Sequence, residues 1–228
     1  MQAVRKMIGL ALLAGAATVG ATGAAHAEGE FSGNVALTTN YVWRGVTQSA
    51  GDPAIQGGID YTASNFYIGT WGSSVDPAST GVADGELELD VYAGFTPTIG
   101  PVTLDIGVLG YFYPGASADG DWAEAYIGAS FSPVEPLTLG ATASFSDDVY
   151  NSGEESTYLE GNVAYTFSET VALSAAYANF DLGALGDYNT WNVGATLSYG
   201  GFGFDFRYID TDITGADSEF VFTLSRAL

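Results

Sequence analysis

The chain has 228 residues, with 27 carboxylates against five Lys and Arg and a single His, for a formal net charge of −22. So few basic residues exclude a nucleic-acid partner, because binding phosphate takes clustered Lys and Arg. With no Cys there is neither a disulfide framework nor a cysteine for lipid anchoring.

Residues 1–27 read as a separate object. Arg5 and Lys6 give a positive start, residues 7–24 are apolar or small, and Ala25-His26-Ala27 fits an A-x-A cleavage site. We therefore expect a signal peptide over 1–27 and a mature domain over 28–228. The other reading of this run is a transmembrane anchor, which its weak, Gly-, Ala- and Thr-rich character disfavours. Cleavage removes Arg5, Lys6 and His26, leaving Arg44, Arg207 and Arg226 as the basic side chains. A mature chain without His has no Ser-His-Asp triad and no His-ligated metal. It is expected to be a non-enzyme without cofactor or metal.

After Glu28 no apolar run reaches the roughly 20 residues of a membrane-spanning helix. Short segments of period-two alternation follow one another instead. Residues 31–44 place Phe31, Val35, Leu37, Tyr41 and Trp43 on one parity. Residues 53–64 carry Ile55, Ile59 and Tyr61, and 66–74 are aromatic on both parities. Residues 85–96 alternate most cleanly, with Leu87, Leu89, Val91, Ala93 and Phe95 against Glu86, Glu88, Asp90 and Tyr92. A strand sends these sets to opposite faces, whereas a helix would mix them. Residues 102–113, 122–131, 137–145, 157–167, 188–199, 202–209 and 218–228 repeat the pattern, and 171–180 do so more weakly in an Ala-rich segment. That makes twelve candidate strands, each close to the ~9–11 residues of a tilted transmembrane strand.

The links between them alternate in length. Residues 64–65, 97–101, 132–136, 168–170 and 200–201 are tight turns. Residues 45–52, 75–84, 114–121, 147–156, 181–187 and 210–217 are longer and polar. Membrane barrels of the bacterial outer membrane pair short periplasmic turns with longer outer loops, apolar outside and polar within. The fold class expected is all-β, an antiparallel transmembrane β-barrel of twelve strands. The acids sort with that map: fourteen lie in the long links, and the strand acids sit opposite the apolar parity.

The stretches S-G-N-V-A-L-T-T-N-Y-V-W-R-G-V-T-Q-S (32–49), P-A-I-Q-G-G-I-D-Y (53–61), F-Y-I-G-T-W-G-S-S-V-D (66–76) and E-L-D-V-Y-A-G-F (88–95) resemble the proteobacterial TorF family of porins. The resemblance implies an outer-membrane barrel with a pore role, and it carries no substrate or catalytic residue. At the C-terminus Phe220, Phe222, Leu224 and Leu228 resemble the assembly signal of outer-membrane proteins, with Arg226 and the final Leu as departures. The barrel-assembly machinery is thus an expected partner.

The expected pore-lining residues are Arg44, Asp60, Glu86, Glu88, Asp90, Asp105, Glu124, Glu160, Asp205, Arg207 and Glu219. Arginines opposed to acids at similar height across a narrow lumen would make a transverse field and a constriction. The alternative is an ion-pair network that fills the lumen. Asp210-Thr-Asp212-Ile-Thr214-Gly215 looks like the start of a calcium loop, but Val221 stands where the final Glu belongs, and solvated loop acids are the simpler reading. The acidic loops could also share divalent cations with lipopolysaccharide. The function expected is passive, cation-preferring passage of small solutes, in contact with outer-membrane lipid. The alternative is a closed barrel acting in adhesion or envelope structure through its loops.

Overall fold

In a computed structural model the structure describes residues 29–228. The expected signal peptide and its cleavage boundary at Glu28 lie outside the described residues. Twelve strands carry the fold: β1 Glu30–Thr38, β2 Ala54–Ala63, β3 Phe66–Ser74, β4 Leu87–Phe95, β5 Val102–Phe112 and β6 Trp122–Val134. They continue as β7 Leu137–Ser146, β8 Ser156–Ser168, β9 Val171–Asp181, β10 Asp187–Tyr199, β11 Phe202–Thr211 and β12 Glu219–Ala227. Each pairs antiparallel with its sequence neighbours, and β1 pairs with β12 from Asn34↔Ala227 to Thr38↔Thr223. The sheet therefore closes on itself and leaves no edge.

Period-two alternation sets which face each side chain takes. Along β4, Val91 is 44% exposed on the outer surface, while its neighbour Asp90 is 5% exposed inside. The outward set continues round the barrel through Ile55, Ile59, Ile106, Val108, Leu159, Val193 and Phe206. Aromatic side chains cluster at both ends of this apolar wall. Phe31 packs on Tyr61 and Phe66 on Phe95 at one end, and Tyr208 packs on Phe220 at the other. Paired aromatic girdles flanking an apolar band match a membrane barrel.

Loop lengths sort by end. One end has tight turns; Tyr199 pairs with Phe202, so Gly200 and Gly201 form a two-residue hairpin turn with φ of 61° and 82°. The other end carries all six long links, and five of these are tied together by hydrogen bonds. Asp76 N donates to the Gln48 carbonyl, Ser117 N to the Ala83 carbonyl, Asn151 Nδ2 to the Asp119 carbonyl, and Ala184 N to the Glu154 carboxylate at 3.0 Å.

The first long link departs from expectation. Residues 31–44 are not one strand: β1 stops at Thr38, where the Thr38 hydroxyl donates to the Asn40 carbonyl and Thr39 N donates to the Phe222 carbonyl. The chain then folds into the barrel. Tyr41 and Trp43 are each 5% exposed inside it rather than facing outward. Alternation persists through 41–44 because these residues form a small ribbon of their own, Val42–Trp43 against Val46–Thr47. Parity alone does not separate a wall strand from an inward hairpin.

Candidate functional site in the lumen

The inward ribbon is a two-residue β-hairpin whose turn residues, Arg44 and Gly45, both have positive φ, 47° and 86°. Such a mirror-image turn matches strand twist but suits Gly far better than Arg. A Cβ at position 45 would lie 2.4 Å from the Thr190 Oγ1 and Thr211 Cγ2 atoms, so the tip sits hard against the wall. Tyr188 holds it there by donating its hydroxyl to the Arg44 carbonyl at 3.0 Å.

The Arg44 side chain runs past β8 and β9 to β6. Its Nη2 donates to both carboxylate oxygens of Glu124 on β6, at 2.9 and 2.8 Å. Its guanidinium carbon lies 4.4, 4.1 and 4.6 Å from the ring centroids of Trp43, Tyr158 and Phe180. Trp122 stacks on Tyr111, centroids 4.2 Å apart, and Trp43 meets both edge-on. Every one of the twelve strands adds a buried residue near its loop-side end, from Thr38 and Ala54 round to Ile209 and Val221. Together they form a septum across that mouth of the lumen. Towards the turn side the inward face is polar and more open, with Ser130, Thr138, Asn162 and Thr196.

Arg207 makes a second pair, along the wall. Its Nε and Nη2 donate to Asp205 on the same strand at 3.2 and 3.1 Å, and it also reaches Asn192 and Ser174. The guanidinium lies flat on Gly194, where any Cβ would stand 2.7 Å from its central carbon. Glycine at 194 is what admits this arginine.

The acids take hydroxyl partners. Glu88 accepts from Tyr41 and Tyr113 at 2.6 and 2.9 Å, Asp60 from Tyr92 at 2.6 Å, Asp105 from Tyr67 at 2.7 Å, and Glu160 from Tyr158 at 2.8 Å. The Tyr67 hydroxyl also meets that of Tyr126. Asp90 is buried with one carboxylate oxygen lacking a hydrogen-bond partner, and so are Arg44 Nη1, Trp43 Nε1 and Asn40 Nδ2. Glu219 opens β12 half-buried, and Glu86 is exposed just ahead of β4.

Of the residues expected to line a pore, Arg44, Asp60, Glu88, Asp90, Glu124, Asp205 and Arg207 are thus buried in the interior, and Asp105 and Glu160 partly so. The pairing differs from an opposed field across an open gap. Arg44 reaches Glu124 from an inward loop, not from the wall, and Arg207 lies beside its own acid. In the calcium-like stretch, Asp210 accepts from Tyr208 and Asp212 from Asn189. Among the described residues no group of three or more His, Cys, Asp or Glu could hold a metal ion.

A family profile described as a bacterial protein of unknown function, Gcw_chp, matches residues 21–227. The chain belongs to the Gcw_chp family. No curated protein matches this Gcw_chp chain. Among solved structures the KdgM porin is similar in fold, with TM-score 0.60 at 11% identity over 86% of this chain and 97% of that one. KdgM porin in complex with disordered oligogalacturonate gives TM-score 0.59 at 10% identity, over 86% and 96%. A chain from work on the in-meso crystallization of membrane proteins gives 0.56 at 10%, over 87% and 83%. At these identities the likeness is one of fold.

The aromatic septum is what the sequence reading of this Gcw_chp chain missed. Its signal was present as aromatics on the polar parity at strand ends, namely Tyr111, Trp122, Tyr158, Phe180 and Tyr188. Trp43-Arg44-Gly45-Val46 between alternating residues also carries a hairpin-turn signal in Gly45.

Proposed function

We propose that this protein is an outer-membrane, porin-like channel for small solutes, with its first loop closing the loop-side mouth in the conformation described. The observation that carries the reading is a polar, acidic lumen inside a twelve-strand barrel whose outer wall is apolar between aromatic girdles. The fold shared with porins and the resemblance of residues 32–95 to TorF porins support it. Passage is passive and prefers cations. The two inward arginines are each matched by one acid, Glu124 and Asp205, so Asp60, Glu88, Asp90, Asp105 and Glu160 set the sign of the field. An acidic sugar such as the oligogalacturonate of the KdgM complex meets repulsion in this lumen. We assign no catalytic centre and no cofactor. Outer-membrane lipid, lipopolysaccharide reached through divalent cations at the loop acids, and the barrel-assembly machinery are the proposed partners.

A second reading rests on the septum itself. If the loop never leaves, the barrel is closed and acts through its acidic loops in adhesion or envelope structure. Single-channel recording in planar bilayers separates the two. Discrete current steps from protein shown to be folded by heat-modifiable gel migration support the channel. Silence from the same protein, with current appearing only in a variant lacking residues 40–52, would leave the closed barrel.

A further inference from the structure

Arg44 sits in a cage that most of its own loop does not provide. Of the three rings around its guanidinium only Trp43 belongs to the loop; Tyr158 and Phe180 stand on β8 and β9. Glu124 stands on β6, and Tyr111 on β5 adds its hydroxyl to that carboxylate at 3.3 Å. Aromatic faces stacked about a cation, closed by one buried carboxylate, are the recognition chemistry of guanidinium and alkylammonium groups. A loop that swings out leaves two rings, the carboxylate and the hydroxyl in place.

The present occupant fits imperfectly. Arg44 holds a left-handed φ of 47°, which a long side chain adopts only when its surroundings impose it. Its Nη1 and the Trp43 Nε1 are buried donors without acceptors, and Asp90 offers a buried oxygen without a donor. Each such group loses hydration without compensation. A free cation is bound by no backbone strain and can place its donors where Arg44 cannot.

We propose that this cage is a binding site for solutes bearing a guanidinium or alkylammonium group, and that Arg44 is its tethered occupant, displaced when such a solute binds. The proposal deepens the channel reading and rests on it. It makes the first loop a competitive plug, so that the cation to be passed is also the one that frees the lumen.

The probe is methylguanidinium, titrated against full-length mature protein in detergent micelles, with Trp122 and Trp43 fluorescence as readout. Arg44→Ala should bind it at least tenfold more tightly than the native protein, because the tethered competitor is gone. Arg44→Ala combined with Glu124→Gln should lose that binding at least tenfold. In bilayers methylguanidinium should block the Arg44→Ala current saturably. Should Arg44→Ala not assemble, Arg44→Gly suits the left-handed turn position, empties the cage equally and carries the same expectations. Equal affinity for the single and double variants, or no saturable signal from a folded single variant, would overturn the site. Saturable fluorescence binding with no current in any variant would keep the site and overturn the channel; current without binding would do the reverse.

Discussion

Arg44 and Glu124 are 80 positions apart in the chain, yet Nη2 of one lies 2.9 and 2.8 Å from the two carboxylate oxygens of the other, with both side chains almost fully buried. Breaking a buried pair from one side strands the other charge, at about 3–5 kcal/mol. Glu124→Gln should therefore either lower the unfolding midpoint in micelles by that order or drive Arg44 out to water. The second outcome would appear as higher conductance with the midpoint nearly kept. Arg44→Met strands the Glu124 carboxylate in the same way and should cost the same order, whereas Arg44→Met combined with Glu124→Gln, which leaves no charge unpaired, should cost far less. If Glu124→Gln changed neither midpoint nor current, this pair would not be what holds the loop inside.

Gly45 is the second hold on that loop. Its φ of 86° and the 2.4 Å gap to Thr190 and Thr211 both refuse a side chain. Gly45→Ala should add about 1–2 kcal/mol from the left-handed backbone alone, with the clash on top. The barrel wall does not depend on this turn, so heat-modifiable migration should survive. The loop should become sensitive to added protease, and channel openings more frequent. Native-like protease resistance in the variant would mean that the tip tolerates the methyl group and the close packing is not what seats it.

The wall of this barrel was legible because lipid and lumen impose a strict period of two. Leu87, Val91 and Phe95 against Glu88, Asp90 and Tyr92 is a pattern that only a strand with unlike faces keeps. Link lengths told the ends apart for a similarly simple reason. The septum was not legible. Tyr41 and Trp43 resume the parity of β1 after a single polar position, Thr39, and an apolar residue on that parity looks alike whether it meets lipid or the rings of Trp71, Tyr111 and Phe180. The partner of Arg44 is set by how far the hairpin reaches across the barrel, a property of the closed sheet. Arg207 and Asp205, two apart on one strand, share a face by period alone, and that pair could be read directly.

The register itself makes a prediction at the middle of β4. Val91 faces outward and Asp90 inward. Val91→Arg should destabilise the membrane-inserted barrel by about 2–4 kcal/mol if the residue lies near the bilayer midplane. Spin labels supply the direct check. A label at 91 should be quenched by lipid-soluble oxygen, and one at 90 by a water-soluble relaxer once the first loop is removed. The opposite assignment would shift β4 by one residue and turn its acids towards lipid.

At the loop side, Asp212 accepts from Asn189 through both the backbone N and Nδ2, each at 2.7 Å. These hydrogen bonds hold its carboxyl below the usual carboxylate range. A lowered folded-state value means the stabilisation is present at neutral pH, begins to fade below the ordinary carboxylate value, and is lost as pH falls through the lowered one. Hydrogen exchange at the Asn189 amide should accordingly remain slow down to moderately acidic pH and then rise relative to its pH-corrected intrinsic rate. In Asp212→Asn that acid-induced step should vanish. A step that persisted in the variant would assign the protection to another group.

Selectivity follows from which acids lack a cation. Glu124 and Asp205 are each neutralised by an arginine, whereas Glu88, Asp90, Asp60 and Asp105 face the lumen with only hydroxyl partners or none. Wherever these carboxyls ionise, an anion in the lumen is repelled and a cation meets several weak attractive sites, which favours passage over trapping. In a KCl gradient across a planar bilayer the reversal potential of an open state, native or with residues 40–52 removed, should have the sign of potassium preference. Salt should weaken it, since the screening length falls from ~10 Å at 0.1 M to ~3 Å at 1 M. Glu88→Gln with Asp90→Asn should bring the reversal potential towards zero, while Glu86→Gln, at an exposed position ahead of the strand, should change it little. Anion preference would refute the electrostatic argument outright. An unchanged potential in the Glu88 and Asp90 variant would place the conduction path along another part of the wall, nearest Asp60 and Asp105 on β2 and β5.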